Sequence, residues 1–215
     1  MRRSLSQPGS PPGTAQSPLR VLQAFRFAPT EPEHINRLLT WAELPAAGRI
    51  LDLGSGNGCI AAQMRAQRPD LTFCLVDKDQ LALDSAGPEW QTHCTDICSV
   101  PEPDNAFDAV ICFYAMGYVS QVDFFHEVAR LARVAAPVFI VDMVPIHHAD
   151  RALSLFGYAI RDRASVESQA ESVGLKLDFY MEPTDDGTWG ESQFPGYFHI
   201  FFGDLRPAIW RFMKA

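Results

Sequence analysis

The run Arg49-Ile50-Leu51-Asp52-Leu53-Gly54-Ser55-Gly56-Asn57-Gly58 constrains the fold more than any other part of the chain. A short apolar stretch carries an acid and then breaks into glycines at alternate positions. Residues Ile60 to Arg68 read as a helix behind it, which makes a strand–turn–helix unit. Glycine lets the backbone turn tightly and lets a ligand lie directly against it. The helix that follows presents unpaired N–H groups at its start. Such a unit sits at the edge of a parallel sheet and offers a site to a nucleotide-like ligand.

The dinucleotide-binding pattern requires glycines spaced G-x-G-x-x-G. Gly54 and Gly56 fit it, but Cys59 stands at the third position and the extra glycine comes one place early, at Gly58. The run Asp52-Leu53-Gly54-Ser55-Gly56-Asn57-Gly58 instead resembles the first motif of class I S-adenosylmethionine-dependent methyltransferases. By that resemblance Asp52, Gly54, Ser55, Gly56 and Asn57 belong to the binding site of the cofactor, S-adenosylmethionine, whose product is S-adenosylhomocysteine. Three further segments fall at suitable distances. Leu71-Thr72-Phe73-Cys74-Leu75-Val76-Asp77 reads as a buried strand ending in an acid, 19 positions after Gly58. One carboxylate there can accept hydrogen bonds from both hydroxyls of a ribose, with Lys78 next to it in the site. The alternative is that Asp77 caps a helix starting near Asp79. Thr95-Asp96-Ile97 follows a short strand from Gln91 to Cys94 and resembles the family position where an Asp meets the adenine amino group and the next backbone N–H meets a ring nitrogen. A plain loop acid is the other reading. Val100-Pro101-Glu102-Pro103-Asp104-Asn105-Ala106-Phe107-Asp108-Ala109-Val110-Ile111-Cys112 resembles the turn and fourth strand of the subgroup that includes quinone-biosynthesis enzymes, and its end brings Cys112 and Phe113 to the cofactor.

The resemblance implies an α/β fold, a Rossmann-like, mostly parallel seven-stranded sheet in the order 3-2-1-4-5-7-6, with strand 7 antiparallel and helices on both faces. The alternating strand and helix patterns agree. Val138 to Met143 reads as the fifth strand, Arg163 to Val173 as a helix stopped by Gly174, and Leu175 to Met181 and Tyr197 to Phe202 as the closing strands. Residues 1–18 are a Pro/Ser/Gly-rich tail with the composition of a disordered segment, ahead of a single domain over 19–215. Pro18 to Phe27 reads as a short helix or lid, with Phe25 and Phe27 either covering the site or packing in the core. Thr30 opens a helix through a Thr-x-x-Glu capping box completed by Glu33. Two departures from the family are visible. The helix from Gln121 to Arg133 is followed by Val134-Ala135-Ala136-Pro137 where the family has Pro-Gly-Gly, and the short segment between Asp77 and Cys94 leaves room for only a reduced helix.

The 215 residues, 47% hydrophobic, suffice for one domain with a substantial core. A net charge of −8 argues against a phosphate-backbone partner, so no nucleic acid is expected. No apolar run is long enough to span a membrane, and the start is not a signal peptide. Of the five cysteines, Cys74, Cys94 and Cys112 read as small buried hydrophobes. Cys94 and Cys98 lack the spacing and the second pair of a zinc site, so no metal is expected. The cysteine pattern fits a reducing, cytoplasmic compartment.

Methyl transfer requires an aligned nucleophile, exclusion of water and, for a protonated nucleophile, a base. The ends of strands 4 and 5 supply Phe113, Tyr114, Met116, Tyr118, His147 and His148. Tyr114, Tyr118 and His147 are the candidates for the acceptor side. Each also has a plainer reading, as a packing ring or a solvated loop histidine, and His199 reads as structural. Phe113-Tyr114-Ala115-Met116 stands where an Asn-Pro-Pro-Tyr motif would signal methylation of exocyclic amines in DNA or of glutamine in proteins. Aromatics from Tyr180 to Phe201 could line a pocket for an apolar metabolite. The expected function is therefore transfer of a methyl group to a small-molecule acceptor, with a homo-oligomer or partner chain as one way to complete the pocket. The alternative is a cofactor-binding regulatory or scaffold protein without transfer activity.

Overall fold

The structure is a computed structural model that describes residues 32–145, 157–181 and 205–215. Its elements are α1 (Pro32–Ala42), β1 (Gly48–Leu53), α2 (Cys59–Gln67), β2 (Leu71–Asp77), α3 (Gln80–Asp84), β3 (Gln91–Cys94), β4 (Ala109–Phe113), a 3-10 turn (Met116–Tyr118), α4 (Gln121–Leu131), β5 (Pro137–Pro145), α5 (Arg163–Ser172), β6 (Leu175–Met181) and β7 (Leu205–Lys214). The seven strands lie in the order β3-β2-β1-β4-β5-β7-β6. The first five are parallel, and β7 runs antiparallel to both β5 and β6. This is the sheet that the sequence implied.

Parallel strands buried on both faces carry near-continuous apolar runs, and the two faces of this sheet hold separate cores. Leu51, Leu53, Cys112, Ile140 and Trp210 point to the side covered by α4 and α5. Ile50, Ile111, Phe113, Phe139 and Ile209 point to the side of α1 and α2. Cys74 and Cys112 are buried as expected, whereas Cys94 is exposed, because β3 is a short edge strand with little to cover it. The helix after β2 is reduced to five residues and is capped by Asp79, which accepts from the N–H groups of Leu81 and Ala82. Ala135 takes a left-handed φ of 62° where the family has glycine.

The seventh strand differs from the sequence reading. It is Leu205–Lys214, not Tyr197–Phe202, which lies outside the described residues. Pro207 and the charges of Arg206, Arg211 and Lys214 disguise it, since proline is depleted within sheets. Arg211 is nevertheless 7% exposed. Its guanidinium donates to Asp178 Oδ2 at 2.7 and 2.5 Å and to the Trp41 carbonyl at 2.8 Å, and pairs with Glu43. The tail, Pro18 to Phe27 and the Thr30 cap also lie outside the described residues.

Candidate cofactor and acceptor site

The parallel strands end at one level. Leu53 pairs with both Val76 and Cys112, Asp77 pairs with Cys94, and Phe113 pairs with Val141. The glycine loop therefore leaves β1 between the ends of β2 and β4, where the strand order reverses, the place at which open α/β sheets bind ligands. Gly54, Gly56 and Gly58 all take positive φ, of 73°, 57° and 69°. The N–H groups of Gly54 and Ser55 donate to the Val76 carbonyl at 2.8 and 3.0 Å and tie the loop to β2. A Cβ on Gly54 would collide with the Ala115 Cβ, so this glycine is demanded by the protein's own packing and not only by a ligand. Gly58 begins α2, and a Cβ there would meet Leu75 at 2.7 Å. Asn57 is exposed beside them.

Asp77 stands at the end of β2, half-buried, with both oxygens oriented by backbone. Oδ2 accepts from the Gly56 N–H at 2.7 Å and Oδ1 from the Asp79 N–H at 2.9 Å. The helix cap itself is Asp79, so the capping alternative for Asp77 gives way to a loop-bracing one. A carboxylate has about four acceptor sites, so capacity for a diol remains. Its remaining acceptor sites thus fit the hydroxyls of a ribose. Asp52, 2% exposed, lies one strand over. Burial, and then the charge of Asp77, pushes its carboxyl up to about 7.

Around this acid the structure brings together most of the remaining candidates. The Thr95 N–H donates to the Asp77 carbonyl at 3.1 Å and draws the loop after β3 to the end of β2. Asp96 is exposed, and its Oδ1 accepts from the Cys98 N–H at 2.8 Å, the local turn of the plainer reading. Ile97 is buried in the α4 and α5 core. Lys78 is exposed, with Nζ 5.8 Å from the centre of the Tyr118 ring. Cys112 and Phe113 point to opposite faces of the sheet, so only their backbone is common to one edge. Burial pushes the Cys112 thiol well up.

On the acceptor side, Tyr114 takes a left-handed φ of 54°, an uncommon conformation for an aromatic residue and one that clusters at functional sites. Its N–H donates to the Val141 carbonyl at 2.8 Å. Burial holds its phenol well above the ordinary range. Tyr118 lies in the 3-10 turn behind it. His147 and His148 lie outside the described residues, as do His199 and the aromatics beyond Met181. Sequence reasoning missed Asp142, 1% exposed on β5, whose carboxyl burial pushes up to about 7. A lone acid inside the apolar run from Val138 to Val144 was the available signal.

Among the described residues, Cys74, His93 and Glu102 place three metal-type donor atoms within 4.8 Å of one another. Glu102 is already engaged there. It accepts from Arg49 at 3.0 and 2.8 Å and from Gln91 at 2.7 Å, and bonds His93 at 2.8 Å. The Arg49 guanidinium holds its carboxyl down at about 2, so the charge a cation would need is neutralised.

Residues 50–137 match the family model described as a methyltransferase domain, which does not single out the quinone-biosynthesis subgroup. A ribosomal RNA large subunit methyltransferase G of Pseudomonas syringae pv. tomato is 33% identical over 75 residues, 31% of this chain and 20% of that protein's length. The chain thus spans about a fifth of that relative. The fold resembles the geranyl diphosphate C-methyltransferase of Streptomyces coelicolor, with a TM-score of 0.73 at 13% identity over 86% of this chain and 76% of that one. It also resembles the phosphoethanolamine N-methyltransferase 2 of Haemonchus contortus, with a TM-score of 0.69 at 16% identity over 85% and 52%. The cyclase SpnF gives a TM-score of 0.70 at 15% identity over 85% and 81%.

Proposed function

We propose that this chain, whose residues 50–137 match a methyltransferase domain, is a class I S-adenosylmethionine-dependent methyltransferase that transfers a methyl group from S-adenosylmethionine to a small molecule. The observation that carries the cofactor half is Asp77, held by the Gly56 N–H at the meeting of the β1 loop and the end of β2. In this reading Asp77 takes the ribose hydroxyls. Gly54, Ser55, Gly56 and Asn57 face the rest of the nucleoside and the amino acid part, with the buried Asp52 beneath them. Lys78, Asp96 and Ile97 border the adenine, and Cys112 and Phe113 contribute backbone. The cofactor supplies a methyl group already activated on a sulfonium, so the protein has to align the acceptor and exclude water. Tyr114, Tyr118 and His147 do this on the acceptor side.

A small acceptor accords with the net charge of −8, which disfavours a polyanion. Among the structural neighbours are methyltransferases named for geranyl diphosphate and phosphoethanolamine. RNA is the second reading, and the sequence identity to the ribosomal RNA enzyme favours it. A cytoplasmic location accords with five cysteines that are all free. No helix among the described residues is long and apolar enough to cross a membrane.

Calorimetry with S-adenosylhomocysteine, followed by transfer from radiolabelled S-adenosylmethionine to a metabolite extract and separately to ribosomal RNA, tests the proposal. Binding and label in a small molecule are expected. Label only in RNA replaces the acceptor, and binding without any transfer favours a regulatory or scaffold role. Asp77→Ala should weaken S-adenosylhomocysteine by about 1.5–3 kcal/mol, the range for hydrogen bonds to a charged group.

A further inference from the structure

The turn that leaves β4 is held from beneath by Asp142 and by a segment, Tyr158 to Arg161, with no part in the site described so far. Asp142 Oδ1 accepts from the Tyr158 hydroxyl and from the Met143 N–H. The N–H groups of Met116 and Gly117 face the same carboxyl and favour its charge. The Tyr158 ring, 4% exposed, lies flush on Gly117, where a Cβ would come within 2.5 Å of it. Its edge meets the Tyr118 ring at 4.8 Å between centroids. The Ala159 N–H donates to the Gly117 carbonyl at 2.7 Å, and Arg161 Nη2 donates to the Val119 carbonyl at 3.3 Å. One short segment, Tyr158 to Arg161, is therefore strapped along the whole 3-10 turn.

That turn reaches the cofactor groove at two points. Ala115 abuts Gly54 so closely that no side chain fits on the glycine. Tyr118 faces Lys78, which follows the ribose-binding candidate. Tyr114, which opens the turn, sits in a left-handed conformation that the surrounding contacts must enforce.

We propose that Asp142 and Tyr158 are positioning residues for methyl transfer: carboxyl and phenol together fix the turn Tyr114–Tyr118 against the glycine loop, so that acceptor-side and cofactor-side residues are held as one unit. The proposal rests on the assignment of the groove to S-adenosylmethionine. Gly117 is part of the device, because only a residue without a Cβ admits the Tyr158 ring.

The test measures S-adenosylhomocysteine binding by calorimetry and amide exchange by mass spectrometry in the wild type, Tyr158→Phe, Asp142→Asn and the double variant. Tyr158→Phe keeps the ring and removes one hydroxyl, so it carries the test if Asp142→Asn does not fold. Each single variant should bind S-adenosylhomocysteine at least threefold more weakly. Amides of residues 114–119 should exchange faster while those of β2 keep wild-type protection, which separates a local loosening from general destabilisation. The double variant should be no worse than the weaker single, since the two side chains act through one contact. Wild-type affinity and protection in Tyr158→Phe, or losses that multiply in the double variant, overturn the proposal. A wild type that does not bind S-adenosylhomocysteine overturns the cofactor assignment as well.

Discussion

Replacing Asp52 by asparagine should stabilise the protein near neutral pH and do progressively less in acid. Asp52 is 2% exposed. Burial, and then the charge of Asp77, raises its carboxyl from 3.8 to about 7. Between those values the folded protein keeps a proton that the unfolded chain has released. The sign follows directly. Stability from this group is fully present below the unfolded value, declines as pH rises through the window, and stops declining once the folded carboxyl ionises. The slope is about 1.4 kcal/mol per pH unit, or about 4 kcal/mol over the whole window. The asparagine side chain keeps the shape and has no proton to lose. The advantage of Asp52→Asn over the wild type should therefore widen by about 2–3 kcal/mol between about pH 5 and pH 7. For a chain of this size that is a relative gain of about 5–10 °C in Tm. Asp142, also raised to about 7, contributes the same slope to both proteins and cancels in the comparison. Urea or thermal unfolding of the two proteins at several pH values from about 4.5 to 8 reads the difference, over the range where the ordinary and shifted carboxyls titrate. Parallel stability curves would refute the reasoning, because they would mean that Asp52 is ionised throughout.

Glu102 should behave in the opposite sense. Its carboxyl is held down at about 2, so its contribution is present above the unfolded value of 4.5 and is lost as pH falls toward the folded one; Glu102→Ala should cost about 2–3 kcal/mol at neutral pH in denaturant unfolding and much less in strong acid. Ala135→Gly should add about 0.5–1 kcal/mol, because φ 62° penalises a side chain more than glycine's lost entropy costs, and a lower Tm would contradict this. Gly54→Ala and Gly174→Ala share left-handed φ values of 73° and 83°, but only the first places its Cβ against Ala115, while the second meets nothing within 4 Å. Gly54→Ala should therefore be the more destabilising by about 1–3 kcal/mol, the usual cost of overpacking, and equal losses in unfolding experiments would mean that backbone strain alone demands the glycine.

What could be read in the sequence was whatever depends on neighbours along the chain. The apolar run into Gly54, the acid at Asp77 and the short strand ending at Cys94 each announce an element by local period and punctuation, and the structure has those elements at those positions. The seventh strand was obscured because its buried charge is balanced at long range. Arg211 meets Asp178 and the Trp41 carbonyl, 33 and 170 positions away, and no local pattern records such pairings. The same holds for the acceptor side. The lone acid of β5 was visible at Asp142, but its bond to Tyr158 spans 16 positions and the end of an element. The left-handed φ of Tyr114 has no sequence signature, since side-chain periodicity reports which face a residue takes and says nothing of the dihedral that puts it there. The proposed cofactor motifs are legible because each is a contiguous run at a strand end. The proposed acceptor side, drawn from β4, β5 and the Tyr158 segment, depends on tertiary contacts, and these came into view only with the fold.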